Sequence, residues 1–538
     1  MATMAARRVT QETFDETVRE NMDEFDMDHA EALQDAVEQF KSQGVDLTSI
    51  DTSGSAERQE ERAELLRCIG VVTAASAGGV STDDIHDALA SIAAMCTCEP
   101  TKRSKALRAS VLVGGGLGAL ATLIRACVDG ERVASVGVAA RAAVALRACI
   151  AGDAENRDAA RSANVVNTMA GLLRAALNEA GADELLVAGL DLVSAVCFKA
   201  EENKSAFTKQ KGGELLVRAH RAHATDAVVA AACARAMCSV TAADDARSST
   251  SCTFDVSRAL VLCGACEGLL ESARAFLGAC GGGAAAEAEA LGLVLDAMRH
   301  LSKSDDAVKL LRKRRVLEIC DAVLRAPRAA LDAHVVGLLR NLASNDDAKD
   351  DMCTHGILEL LCAVLRRGAD DAVVREHGIA TFAQMALRRP PNALRIVRCG
   401  GIELIVESMR RHAGCVTLQR QGCLAVRNLC ARSDELARPL LDAGAEAVLR
   451  QAGAASQANV DVAYAALRDL GVDAQISVFE ADQGGGSGVV RIEKDVYGGG
   501  AAANFRAIFD ESCDVGAQIA ACDDLDDGKM SMSNMALM

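Results

Sequence analysis

The residues best suited to covalent or metal chemistry are the cysteines, and they come close together twice, at Cys96-Thr97-Cys98 and Cys263-Gly264-Ala265-Cys266. The second pair has dithiol spacing, but redox use requires a βαβ surround and zinc requires a second Cys or His pair nearby. Neither context is present, so these thiols are expected to serve as small core residues. Gly114-Gly115-Gly116-Leu117-Gly118 is glycine-rich enough to cradle a phosphate, yet no strand precedes it. Asp523 to Gly528 has the acidity of a calcium loop. With Gly528 in its place, however, Leu525 falls where an oxygen ligand is required. The Ser, His and Asp residues form neither a nucleophile elbow nor an HExxH pattern. The expectation is therefore no catalytic residue, no metal, no cofactor and no enzyme.

A different set of polar residues recurs at a fixed interval. Met298-Arg299-His300-Leu301, Leu339-Arg340-Asn341-Leu342, Ala383-Gln384-Met385 and Val426-Arg427-Asn428-Leu429 align on positions 300, 341, 384 and 428, in steps of 41, 43 and 44. Leu467-Arg468-Asp469-Leu470 follows, 41 residues later. Upstream the register continues more faintly at Cys149, Val196 and Ser239, and the 61-residue gap to position 300 holds a glycine-rich insertion, Gly281 to Gly283, expected as a loop.

Elements with that period must position these side chains. A second landmark recurs between them, as in Cys399-Gly400-Gly401-Ile402, His355-Gly356-Ile357, Ala443-Gly444-Ala445, Lys211-Gly212-Gly213 and Gly115-Gly116-Leu117. Each precedes an apolar run with helical spacing, and glycine there closes one helix and lets the chain turn sharply into the next. Clusters such as Ser344-Asn345-Asp346-Asp347 supply the caps of the following helices. Composition agrees. Half of the chain is hydrophobic, but only 2% is aromatic and Trp is absent, which favours close-packed helices over large sheets. A repeat of 41 to 47 residues built from helices and glycine turns belongs to the armadillo or HEAT class.

The quoted units resemble the armadillo consensus, in which an Arg-Asn-Leu helix is followed by a Gly-Gly-Ile turn. The resemblance covers residues 63–472, is clearest over 296–472, and implies an all-α, right-handed superhelical solenoid of about eight or nine repeats with a continuous core. In that family the third helix of each repeat lines the concave surface, and an Asn at the Arg-Asn-Leu position hydrogen-bonds the backbone of an extended ligand. Carried over, that row is His300, Asn341, Gln384 and Asn428. Seven residues earlier, on the same helical face, lie His334, His377 and Gln421. Beside the row stand Arg299, Arg340, Arg427 and Arg468, suited to carboxylates or phosphates. Import adaptors of this fold place a Trp one turn before the Asn. Here those positions are Asp296, Gly337, Ala380 and Leu424, so a role in gripping basic signals is not expected.

Residues 7–50 are not a repeat. They read as an acidic helical hairpin, with an Asp28/Glu31 capping box and Gly44 as its stop, followed by a charged linker over 51–62. Thr10 to Asn21 and Ala36 to Leu47 resemble the opening of one branch of the family, armadillo repeat-containing protein 6. Residues 473–538, rich in Gly, Asp and Met, are expected to be disordered.

The net charge of −17 lies at the two ends, −10 over 12–38 and −7 over 480–538, so the repeats are about neutral and generic nucleic-acid binding is disfavoured. The start lacks an apolar signal segment, and the longest uncharged apolar stretch, Val111 to Ile124, is too short to span a bilayer. With 21 cysteines, a reducing compartment, cytosol or nucleus, is expected. The expected function is a non-enzymatic scaffold binding an extended acidic or phosphorylated peptide in the groove of the C-terminal repeats. The alternative is a structural or regulatory subunit of a nucleic-acid-associated complex that uses the Arg stripe on phosphate. The N-terminal hairpin or the tail is a third candidate occupant of the groove.

Overall fold

The computed structural model describes residues 7–9, 11–47, 50, 56–99, 101–129, 136–248, 251–279, 285–326, 328–431, 434–472 and the pairs 476–477 and 489–490. Helices α1 (Gln11–Phe25) and α2 (His29–Ser42) form the N-terminal hairpin, and α3 (Ala56–Ala77) with α4 (Thr82–Thr97) forms a first two-helix unit. Three-helix units follow: α5 (Thr101–Val113), α6 (Gly116–Val128) and α7 (Val136–Ile150); α8 (Ala154–Ala159), α9 (Val165–Asn178) and α10 (Asp183–Cys197); α11 (Glu201–Lys209), α12 (Gly212–Ala222) and α13 (Ala227–Thr241); α14 (Thr253–Leu262), α15 (Ala265–Ala279) and α16 (Ala285–Leu301). The series continues with α17 (Asp305–Lys313), α18 (Val316–Arg325) and α19 (Ala329–Leu342); α20 (Asp346–Thr354), α21 (Ile357–Arg367) and α22 (Ala372–Ala386); α23 (Pro390–Arg398), α24 (Gly401–Arg411) and α25 (Val416–Cys430); α26 (Ala437–Asp442), α27 (Ala445–Ala455) and α28 (Val460–Asp469).

The third helices, from α4 and α7 through α28, stack directly on one another, and the second helices form a looser parallel layer. Tighter spacing on the third-helix side bends the array towards that side, giving the all-α, right-handed superhelical solenoid with one continuous core. Small residues permit the close approach. In α13, Ala230, Ala232, Ala234 and Ala236 are all buried, and Gly189 of α10 has no room for a Cβ because Leu172 of α9 would lie 2.3 Å away. Gly378 receives Leu365 in the same way.

Each turn between first and second helices contains one residue in the left-handed conformation, such as Gly400 (φ 82°) and Gly444 (φ 89°). At the Lys211-Gly212-Gly213 landmark this residue is Lys211 (φ 59°), not glycine; Gly212 has already entered α12 and is pressed against Phe207. The turns are tied to neighbouring units by arginines of the second helices. Arg174 donates to the Gln210 carbonyl, Arg366 to Cys399 and Arg410 to Ala443, at 2.7, 2.7 and 3.0 Å. Asn345 caps α20 by accepting from the Ala348 amide at 3.1 Å.

Three expectations need correction or placement. The stretch 51–62 is not all linker, because α3 begins at Ala56, and Glu61 within it pairs with Arg103 of α5. The glycines 281–283 lie outside the described residues, but much of the 61-residue gap sits elsewhere. The segment between α13 and α14 is longer than its counterparts and folds back, with Asp244 on Lys204 and Arg247 on Asp158. The tail lies outside the described residues except for a two-residue antiparallel pairing of Ile476–Ser477 with Val489–Val490.

The hairpin has its own small core, with Phe14 and Phe40 rings 5.8 Å apart and Val18, Ala32 and Ala36 buried beside them. Asp28 caps α2 through the Glu31 amide at 2.9 Å, and Arg7–Arg8 pairs in parallel with Val45–Asp46. Among the described residues no single helix is long and apolar enough to cross a membrane. The bent pair 103–113 and 116–128 passes by composition, but its Leu117, Leu120 and Ile124 are buried in the array.

Candidate functional site

The repeated row lies in the last turns of successive third helices, where side chains of neighbouring units meet. Asn341 of α19 donates to the Arg299 carbonyl of α16 at 2.8 Å, and Asn428 of α25 donates to the Ala383 carbonyl of α22 at 3.0 Å. These carbonyls belong to C-terminal turns, where intrahelical partners become scarce, although the Ala383 carbonyl also accepts from the Leu387 amide at 3.2 Å. The two amides therefore help to join the units. His300 reaches Thr241 of the preceding unit at 3.3 Å. Gln384 and Gln421 are half-buried, and neither has a hydrogen-bond partner among the described residues. Upstream, Cys149 and Val196 are buried in the core.

The arginine stripe is accompanied by carboxylates. Arg299 pairs with Asp296 at 3.1 Å, and the same carboxylate accepts from or pairs with His334 at 2.8 Å. Arg340 faces Glu376 at 3.7 Å and touches His377 at 3.5 Å. Asp469 is shared by Arg427 at 3.3 Å and Arg468 at 2.7 Å. Gly337, where import adaptors carry Trp, makes room for this network: a Cβ there would lie 2.9 Å from Arg299 and 3.2 Å from His377. Thr417 of α25 extends it by donating to Glu376 at 2.6 Å.

Burial sets the protonation states. It pushes the His377 imidazole down to about 4, helped by Arg340 and Arg299, and pushes His300 down to about 4, helped by Lys303 and Arg299. Both rings are neutral near pH 7. Burial also lowers Arg340 from its usual value. For Asp296 burial acts upwards, but the His334 hydrogen bond and Arg299 outweigh it and hold the carboxyl below its usual range. Four guanidiniums thus face three carboxylates, with the neutral rings of His300 and His377 among them, a nearly balanced polar floor. Arg468, with 55% of its side chain exposed, is its most open cation.

Asp523 to Gly528 lies outside the described residues, and the other candidates take structural places. Cys263 ends α14 and Cys266 is buried in α15, where burial pushes its thiol up to about 12, away from the nucleophilic thiolate. Cys96 and Cys149 lie with their sulfurs 3.7 Å apart in the core. Gly114–Gly118 joins two helices. Among the described residues no cluster of three or more His, Cys, Asp or Glu could hold a metal ion.

Residues 6–65 match the N-terminal domain of armadillo repeat-containing protein 6, the hairpin and the start of α3. Over 424 residues the chain is 30% identical to armadillo repeat-containing protein 6 of Homo sapiens and of Pongo abelii, covering 73% of this chain and 76% of each relative. The chain belongs to the armadillo repeat-containing protein 6 family. Solved structures agree on the fold. A chain from work on the phosphorylation-switched interaction between cadherin and β-catenin is 17% identical with a TM-score of 0.52, over 85% of this chain and 80% of that one. An engineered protein is 18% identical with a TM-score of 0.50, over 76% and 99%.

In this armadillo repeat-containing protein 6 family member, the partners of the stripe were partly legible. Asp296 lies three residues before Arg299 on one helix, and Asp469 adjoins Arg468 in the recurring unit itself. Glu376 was not legible, because it meets Arg340 only across two stacked units.

Proposed function

We propose that the chain is a non-enzymatic protein-interaction scaffold whose C-terminal repeats take an extended, acidic or phosphorylated segment along the third-helix face. The observation that carries this reading is the pair of amides Gln384 and Gln421, without partners among the described residues, on the adjacent third helices α22 and α25, with Arg427 on α25 and the exposed Arg468 on the next third helix, α28. An amide offers a donor and an acceptor, which matches a peptide bond, and a guanidinium fork matches a carboxylate or phosphate. Asn341 and Asn428 keep their carbonyl oxygens for a ligand while holding the neighbouring unit. An incoming acidic side chain would exchange with Asp469 at Arg468, so its contribution is selectivity more than raw affinity. The proposed setting is the cytosol or nucleus, supported by cysteines such as Cys197 and Cys233 that pack as core residues. In the cadherin and β-catenin work a phosphorylation switch controls the interaction. The likeness supports the fold, and the partner class proposed here rests on this chain's own side chains.

The test is an array of extended peptides, with acidic, phosphorylated and neutral members, probed with wild type, Gln384→Ala/Gln421→Ala and Arg468→Glu. Acidic members should bind best, the amide variant should lose about tenfold for all of them, and Arg468→Glu should remove the acidic preference. Unchanged binding by the amide variant would overturn the proposal. So would preferential binding of a nucleic-acid duplex with a steep salt dependence, which would favour the phosphate-binding alternative.

A further inference from the structure

The third-helix face changes character upstream. Between α7, α10 and α13 lies a cavity of about 430 Å³ with an apolar floor made by Val144, Val187 and Val228. Val144 is 44% exposed and Val228 60% exposed, although both sit on helices whose other faces are closely packed. Exposed valines spaced over adjacent helices form a patch rather than scattered surface residues, and such patches mark interaction sites. The volume falls within the range of sites that seat small ligands or bulky side chains.

The rim is charged asymmetrically. Its lining holds four carboxylates, Asp183, Glu184, Asp191 and Asp226, against two guanidiniums, Arg141 and Arg147, a net of −2. Asp191 is already matched, by Arg147 at 3.2 Å and by Arg235 at 3.3 Å from the next helix. The rest of the negative charge gathers at the N-terminal ends of α10 and α13, where Asp183 and Glu184 open one helix and Asp226 caps the other. Glu184 has no partner among the described residues, and Asp183 has only His223 at 3.7 Å. Arg141 stands on α7, one turn before Val144.

We propose that this upstream cavity is a second docking site, for a partner segment with bulky apolar side chains followed by a Lys or Arg. The apolar residues cover Val144, Val187 and Val228. The cation lies over Glu184 and Asp183 at the N-terminal end of α10, and Arg141 on α7 disfavours a cation beside it. Charge complementarity chooses this occupant: an acidic flank would meet three carboxylates, whereas a basic one meets an unpaired Glu184. The site is independent of the amide row downstream, and the two halves of the same face would take segments of opposite charge.

The experiment is selection of nonapeptides from a random phage-displayed library on the full chain, followed by fluorescence anisotropy with the enriched peptides. The expected consensus pairs bulky apolar residues with a Lys or Arg. Val144→Asp/Val228→Asp, with helicity checked by circular dichroism, should weaken binding at least tenfold. Glu184→Lys, a surface change that leaves the floor intact, should shift the preference to acidic flanks. Gln384→Ala/Gln421→Ala should leave these peptides unaffected, which separates failure here from failure of the downstream site. The proposal is overturned by no enrichment, by an acidic consensus, or by affinities that ignore the valine substitutions. It is equally overturned if the valine substitutions convert a dimer into a monomer in sedimentation, which would assign the cavity to a second copy of the chain.

Discussion

Replacing Asn341 by alanine removes a donor held 2.8 Å from the Arg299 carbonyl, between α19 and α16. That carbonyl lies in the last turn of α16, where intrahelical partners run out. Losing the bond costs about 1 kcal/mol, and leaving a half-buried carbonyl without its partner raises this to about 1.5 kcal/mol. In a stacked array such a loss is felt mainly at the interface between the two units. The local opening equilibrium around residues 296–304 should therefore rise about tenfold, since 1.4 kcal/mol is one decade. Hydrogen exchange followed by mass spectrometry reads this directly, with Gln384→Ala as the reference. Gln384 occupies the equivalent row position but has no partner among the described residues, so its truncation should stay within about 0.5 kcal/mol. Asn341→Asp keeps the shape but puts an acceptor against a carbonyl, and should cost at least as much as alanine. If exchange over 296–304 is unchanged in Asn341→Ala, or if Gln384→Ala matches it, the division of the row into joining and open amides is refuted.

Three further outcomes follow from buried groups. Lys204 has no exposed side-chain surface and is held by Asp244, the Ala242 carbonyl and, at 3.7 Å, Glu201, so Asp244→Ala should destabilise by about 2 kcal/mol. In urea titrations Lys204→Met/Asp244→Ala should recover most of that loss; no recovery would mean that the pairing is incidental. Burial lowers His220 from 6.5 to about 4, so the unfolded chain takes up a proton before the folded one as pH falls. His220 should by itself take about 2 kcal/mol from the stability between pH 7 and pH 5, levelling off below about 4, beside similar contributions from His300 and His377, and His220→Gln should reduce the total drop by that component. Gly401→Ala would place a methyl 2.3 Å from Ile396 Cγ2 and 2.8 Å from its carbonyl oxygen, and should lower stability by about 2 kcal/mol. A variant as stable as wild type in thermal melts would show that the α23–α24 turn relaxes at little cost.

The helical solenoid was legible because its signals are local and repeated. Left-handed turn residues, caps such as Asn345, and apolar spacing each act within a few residues, and the period multiplies them. Even so, the turn at Lys211 was assigned to the glycine beside it, because two adjacent residues both suit a sharp turn and only packing against Phe207 decides between them. The linker over 51–62 read as unstructured from its charge, yet α3 starts at Ala56 because its charged residues face solvent and neighbours. The hairpin was legible from its capping box, while the pairing of Arg7–Arg8 with Val45–Asp46 was not, since a two-residue strand leaves no pattern.

The sequence alone determined the period, the helical class and the polar row at 300, 341, 384 and 428. The tertiary structure decided which members of that row are already engaged, that Glu376 answers Arg340 and Asp469 also answers Arg427, and that Val144, Val187 and Val228 converge on one cavity. These outcomes depend on contacts between residues about forty apart, fixed by the rise and rotation from one unit to the next. A shift of about an ångström in that stacking would carry Asn341 or Asn428 out of reach of its neighbour's carbonyl. The period states which residues are equivalent, and the stacking settles what each one touches.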